Sequence, residues 1–252
     1  MTASTDRSAL DLTGITAVEV ATFGGELSVV TGAADSPRVE ATVYGNAAWS
    51  VERVGSLLYL VGKKRGFFYM GNGVSFRLWL PNHLALKLAN VSADIRVRGD
   101  VRSLTANVVH GGIEVRASNP AEVKLRAAHG RVVVHGVTSK FDIVATPGDV
   151  RVVNSGGELK ITATPGNVRL EQVVLTPGRS HTVNASPGTI EVVGIHAPGG
   201  LDLRGKTTHP PVIAEMPGYD VRNKGNRAHI KRDGPNPASL TLDAVGKLSI
   251  KG

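Results

Sequence analysis

The stretch Leu159-Lys-Ile161-Thr-Ala163-Thr-Pro165-Gly166-Asn-Val168-Arg-Leu170 decides the fold. Leu159, Ile161 and Ala163 alternate with polar residues, the period of a strand buried on one face. A second alternation, Val168-Arg-Leu170, follows the glycine. Ala163 and Val168 are five positions apart, an odd number, so the inward phase reverses across Pro165-Gly166. A straight strand keeps its phase, so the chain must bend there. Proline in the first central position and glycine with positive φ in the second predict a type II turn. That turn splays a hairpin, so Pro-Gly reads as a corner.

The same unit recurs in both directions. Leu86–Val97, Leu104–Val115, Val123–Val134, Phe141–Val152 and His181–Val192 align with Leu159–Leu170 on a shared turn position. That position is held by Ala93, Gly111, Gly130, Gly148, Gly166 and Gly188, at spacings of 18, 19, 18, 18 and 22 residues. If each unit is one coil, equivalent residues stack in register. Leu86, Leu104, Val123, Phe141 and Leu159 form one column; Ile95, Ile113, Val132, Val150, Val168 and Ile190 form another. An antiparallel meander needs no such uniform columns. The expectation is therefore an all-β, single-domain parallel β-helix or β-solenoid, with an antiparallel β-sandwich or prism as the alternative. Looser copies lie at Val18–Val29 and Leu240–Ile250. The domain reads as 1–252, with irregular strands or a cap over 1–85, regular repeats over 86–200, and further coils or a cap over 201–252.

Composition agrees with many tight corners around an aliphatic core: 30 of 252 residues are glycine and 4% are aromatic. With no cysteine, disulfides and thiolate metal sites are excluded. Met1–Leu10 shows no apolar run behind a basic start, and no stretch approaches 18 apolar residues. The expected location is cytoplasmic, with cell-envelope association open. A formal charge of +8 favours encounter with anionic partners, although scattered surface charge also serves solubility.

The segment Val74-Ser-Phe-Arg-Leu-Trp-Leu-Pro81 leads into Leu86-Lys-Leu88, a small-residue turn and Ile95-Arg-Val97. It resembles the bacterial, adhesin-like DUF4097 family. Arg38–Val43 and Leu57–Val61 sit where that family has its introductory strands, so the resemblance covers nearly the whole chain. It implies a β-helix-like fold with no established catalytic residues, in cell-envelope or stress-response settings.

Several motifs carry chemistry on paper. Gly200-Leu-Asp-Leu-Arg-Gly205-Lys206-Thr207 matches the phosphate-binding P-loop, but that loop needs a helix after it, and Thr208-His-Pro-Pro211 cannot start one. His110 and His129 share a column beside the turn; a metal needs three or four ligands, so solvated corner histidines are expected. The outward column Arg96, Glu114, Val133, Arg151, Arg169 and Glu191 shows no paired acid and base, as a polysaccharide-cleaving site requires. Two basic segments remain. One is the basic-aromatic loop 63–73, with Lys63, Lys64, Arg65, Phe67, Phe68 and Tyr69, suited to stacking bases or dipping into an anionic bilayer, or else to plugging the end of the core. The other is the segment 222–232, with Arg222, Lys224, Arg227, Lys231 and Arg232.

The leading expectation is a non-catalytic structural or interaction module that presents loops on a rigid solenoid to protein partners or to itself. The alternative is binding of a polyanion, nucleic acid or an anionic membrane, through the two basic segments. No small-molecule cofactor and no metal are expected.

Overall fold

The computed structural model of the chain describes residues 3–32, 36–64, 72–118 and 120–252, and only the backbone of Lys64. Among them are 25 strands and no helix, so no helix is long and apolar enough to cross a membrane. The chain groups into two compact units, Met1–Leu125 and Arg126–Gly252.

The first unit holds β1 (Ala3–Ala9), β2 (Ala17–Thr22), β3 (Leu27–Thr31), β4 (Arg38–Tyr44), β5 (Ala47–Val54) and β6 (Leu57–Lys64). It continues with β7 (Gly73–Leu80), β8 (Ala85–Ser92), β9 (Ile95–Arg98), β10 (Ser103–His110) and β11 (Ile113–Arg116). Strand β12 (Glu122–His129) spans the boundary. The second unit holds β13 (Val132–His135), β14 (Thr138–Ala145), β15 (Val150–Val153), β16 (Gly156–Ala163), β17 (Val168–Leu175), β18 (Ser180–Ala185) and β19 (Ile190–His196). It ends with β20 (Leu201–Thr207), β21 (Ile213–Glu215), β22 (Asp220–Lys224), β23 (Arg227–Arg232), β24 (Ala238–Ala244) and β25 (Leu248–Lys251).

The fold is an all-β solenoid, and the expected columns are present. In the first unit Leu104 pairs with Leu86 and Ile113 with Ile95, in parallel register. In the second, Val132, Val150, Val168, Ile190 and Leu248 stack in parallel succession. Each is at most 1% exposed, so the inward columns form a dry aliphatic core. Ala163 and Val168 are both buried, as the phase reversal requires.

The corners differ from the expected type II turn. The bonds Thr146-Pro147, Thr164-Pro165 and Ser186-Pro187 are cis, and Gly148, Gly166 and Gly188 do not take positive φ. Close approach is what demands glycine here. A Cβ on Gly148 would stand 1.7 Å from the carbonyl oxygen of Gly130, and one on Gly166 would stand 1.9 Å from that of Gly148. Each corner is tied to the next: Gly148 N–H donates to Pro165 O at 2.9 Å, and Gly166 N–H to Pro187 O at 3.0 Å.

One column position is polar. His181 is 1% exposed, stacked between Leu159 and Leu240. Its Nδ1 accepts the Leu159 N–H at 3.1 Å, so its Nε2 carries the proton that faces the Thr176 carbonyl at 3.3 Å. Burial holds the imidazole below its ordinary pKa, in the neutral form.

Stacking order departs from chain order. In the first unit β2 lies between β6 and β8, and β3 between β7 and β9, all parallel. In the second, β24 lies between β18 and β20, and β25 between β19 and β21. The last coil in the sequence therefore sits inside its unit. Outside it the pairing turns antiparallel, β23 on β20 and β22 on β23. The first unit ends likewise, with β4 antiparallel to β7, β1 to β4 and β5 to β6. The sandwich alternative thus survives only as antiparallel outer strands.

Candidate anion-binding groove

Strands β20, β22, β23 and β24 bring together a cluster of basic side chains. In β20, Leu201, Leu203, Gly205 and Thr207 are buried, so Asp202, Arg204 and Lys206 face outward. In β23, Ala228 and Ile230 are buried, and Arg227, His229 and Lys231 face outward. The hairpin joining β22 to β23 pairs Lys224 with Arg227 across Gly225-Asn226. Gly225 supplies the positive φ, 59°, that primed hairpin turns need, and nothing crowds its Cα.

Register turns these alternations into rows. The first row runs Lys224, Arg227, Lys206, Asp243; the second runs Arg222, His229, Arg204, Thr241; the third runs Asp220, Lys231, Asp202, Ser239. Neighbours within a row stand on strands about 4.8 Å apart, and rows are about 6.7 Å apart along the strands. The third row alternates in sign. The first sets three cations side by side, an arrangement that weakens a sheet.

Ion pairing runs between the second and third rows. Asp202 lies 2.9 Å from His229 Nε2 and 3.3 Å from Arg204, and Asp220 lies 2.8 Å from Arg222. Burial alone would raise the Asp202 pKa, but the hydrogen bonds from Arg204 and His229 outweigh it and hold the carboxyl below its ordinary value. Lys206, Lys224 and Arg227 have no carboxylate within 4.0 Å among the described residues, and Asp243 makes no ion pair with Lys206. The side chains of the first two rows enclose a groove of about 590 Å³ with Gly205 and Ala228 on its floor.

Of the residues singled out from sequence, Lys224 and Arg227 line this groove with Arg222. Lys231 and Arg232 do not. Lys231 pairs with Asp233 at 2.8 Å, which raises its pKa, and Arg232 lies over the Tyr219 ring and bonds to the Ala197 carbonyl. Lys63 is an exposed residue of β6, in the other unit; Arg65, Phe67, Phe68 and Tyr69 lie outside the described residues, as does the Lys64 side chain. Arg204, Lys206 and His229 were not anticipated. Their signal was the shared phase of Asp202-x-Arg204-x-Lys206 and Arg227-x-His229-x-Lys231, which only the register makes meaningful.

The P-loop match is settled by the same strand. Leu201–Thr207 is extended, paired with β24 throughout and with β23 from Leu201 to Lys206, and no helix follows among the described residues. Among the described residues no group of three or more His, Asp, Glu or Cys gathers as metal ligands would.

The family model of Toastrack DUF4097 matches residues 55–196, more than half the chain. The chain belongs to the Toastrack DUF4097 family. No curated protein matches it. Among solved structures, the Toastrack chain is similar to a "putative lipid binding protein" of Parabacteroides distasonis, at 12% identity and a TM-score of 0.53, covering 99% of this chain and 96% of that one. It is also similar to a "putative adhesin" of the same species, at 10% identity and a TM-score of 0.47, with the same coverage. The first likeness is one of fold. The groove itself lies beyond the matched segment, in residues 204–243.

Proposed function

We propose that this Toastrack chain is a non-catalytic binding module whose working surface is the groove of β20, β22, β23 and β24, and whose ligand is anionic. The observation that carries the reading is the first row: Lys224, Arg227 and Lys206 adjacent in register, none in an ion pair among the described residues, with Asp243 as the register neighbour of Lys206. Repulsion between like charges there is a cost to the fold that an incoming anion removes. In the coils, by contrast, outward arginines are engaged with carboxylates. Arg151 pairs with Glu171 at 2.9 Å, and Arg169 with Glu191 at 2.8 Å.

The test is binding of a fluorescent polyanion across a salt series from about 50 to about 300 mM. Affinity is expected to fall steeply with salt, and Lys224→Glu with Arg227→Glu is expected to weaken it by at least about tenfold. Binding that ignores both salt and the double substitution would remove the groove from consideration.

A further inference from the structure

We infer that the ligand of this groove is a clustered phosphate, two or more phosphate groups held close together on one small molecule or headgroup, and not an extended anionic polymer. This rests on the anionic reading above and narrows it.

The positive surface is small and fenced. Five Lys and Arg side chains, with His229 between Arg222 and Arg204, cover about 10 Å across the strands and about 7 Å along them. Asp220 and Asp202 stand in the adjoining row on either side of Lys231, and Asp243 ends the first row. A polymer leaving along the strands past the second row, or across them past Lys206, would carry its next charges onto carboxylates. A compact ligand stays within the fence. The 590 Å³ groove is the size of a small-molecule site.

Charge density points the same way. The first row offers three uncompensated cations within two strand spacings. One phosphate monoester carries about −1.5 to −2, so two neighbouring phosphates supply about −3 to −4 in that space. A carboxylate chain supplies one charge per residue over a longer path. Arg227 and Arg204 can each present a fork of N–H donors to a phosphate, with Lys206 and Lys224 as point charges beside them. Single-stranded nucleic acid binds largely by stacking bases on aromatic rings, and among the described residues no Phe, Tyr or Trp lines the groove.

The chemistry is shared by soluble oligophosphates and by phosphorylated lipid headgroups, so the experiment has an arm for each. Calorimetry on the full chain at low salt would compare inorganic tripolyphosphate, orthophosphate, oligothymidylate and polyglutamate. Flotation would use phosphatidylcholine vesicles with and without a bisphosphorylated inositol lipid. The expectation is one site per chain for tripolyphosphate, at least about tenfold tighter than orthophosphate, and weakened at least about tenfold by Lys206→Gln with Arg227→Gln. These side chains are solvent-facing, and an unchanged urea midpoint confirms a folded variant. Vesicle binding displaced by tripolyphosphate assigns the headgroup as the source; tripolyphosphate binding without flotation assigns a soluble ligand. Oligothymidylate or polyglutamate binding as tightly as tripolyphosphate, through the same two residues, overturns the clustered-phosphate inference while leaving the anionic groove standing. If none of the five probes binds, both readings fail.

Discussion

In the coils β14 to β19 the outward arginines Arg151 and Arg169 pair with carboxylates, whereas in β20, β22 and β23 of the same unit Lys206, Lys224 and Arg227 pair with none among the described residues. Glu171, only 16% exposed, takes two bonds from Arg151 and one from Arg169, which reaches on to Glu191. The column Arg151, Arg169, Glu191 is thus held by a carboxylate from the next outward position of the strand. The row Lys224, Arg227, Lys206 has no such carboxylate. Both surfaces are built from the same alternation on the same kind of strand. The coil uses charge to reinforce the ladder, and the outer strands tolerate a weaker ladder to keep charge available. Strands β20 and β23 pair on both edges as the coil strands do, and the exposed cations Arg222 and Lys224 of β22, the outermost of the three, also discourage edge-to-edge aggregation.

The sharpest break of the coil side is at its corners. Gly166→Ala would press a methyl carbon against the Gly148 carbonyl oxygen, 1.9 Å away, and no flexible side chain is there to yield. A loss of more than about 3 kcal/mol is expected in urea unfolding, or failure to accumulate as soluble protein. By contrast, Gly225→Ala in the hairpin meets no neighbour and bears only the strain of its positive φ, about 1 kcal/mol.

Next is His181, neutral and buried among aliphatic neighbours. Its folded pKa lies below its ordinary value, so the unfolded chain binds the proton more readily. Stability is therefore full above about pH 6.5 and falls as pH drops below it, with a slope approaching 1.4 kcal/mol per pH unit until the folded pKa is reached. His181→Leu, which continues the column of Leu159 and Leu240, is expected to flatten this profile below about pH 6.5 even though the Leu159 N–H loses its acceptor. A profile unchanged by the substitution would mean the acid loss arises elsewhere.

The coil and its columns were legible in the sequence because aliphatic alternation and a reversing phase leave few other solutions. Two things were not. Pro-Gly carries the same letters for a type II turn and for a cis-proline corner whose glycine is needed for space, and only the packing of one corner on another tells them apart. The insertion of β24 between β18 and β20 was also hidden, since Leu240–Ile250 matches the template without saying which coil it touches. That insertion leaves the other edge of β20 to β23, whose antiparallel pairing makes Lys206 a neighbour of Arg227 and Arg204 a neighbour of His229. Sequence found the hairpin's Lys224 and Arg227, and it found Lys206 only as part of a motif that the strand does not form.

Glu171→Gln tests whether the coil is held by its charges. It leaves Arg151 and Arg169 adjacent in register, reproducing the arrangement of the groove inside the coil. The Glu171 carboxyl is held below its ordinary pKa chiefly by the hydrogen bond from Arg151, so it stabilises the fold above that ordinary value and loses its effect as pH falls through the folded pKa. The substitution should cost up to about 1 kcal/mol at pH 7, much of it regained in high salt, which screens the exposed arginines. A salt-independent loss would assign the role of Glu171 to packing.

The smallest effect on stability is the most informative about function. Lys224→Glu places a carboxylate beside Arg227 in the first row and gives the outer strands the alternation that the coil already has. It is expected to stabilise the unit by a few tenths of a kcal/mol in urea unfolding at low salt, while anion binding falls by about tenfold. Gain on one axis with loss on the other is what a surface kept uncompensated for a ligand predicts. If the same substitution destabilises the protein and leaves binding intact, the first row serves the fold, and the difference between the two regions has no functional meaning.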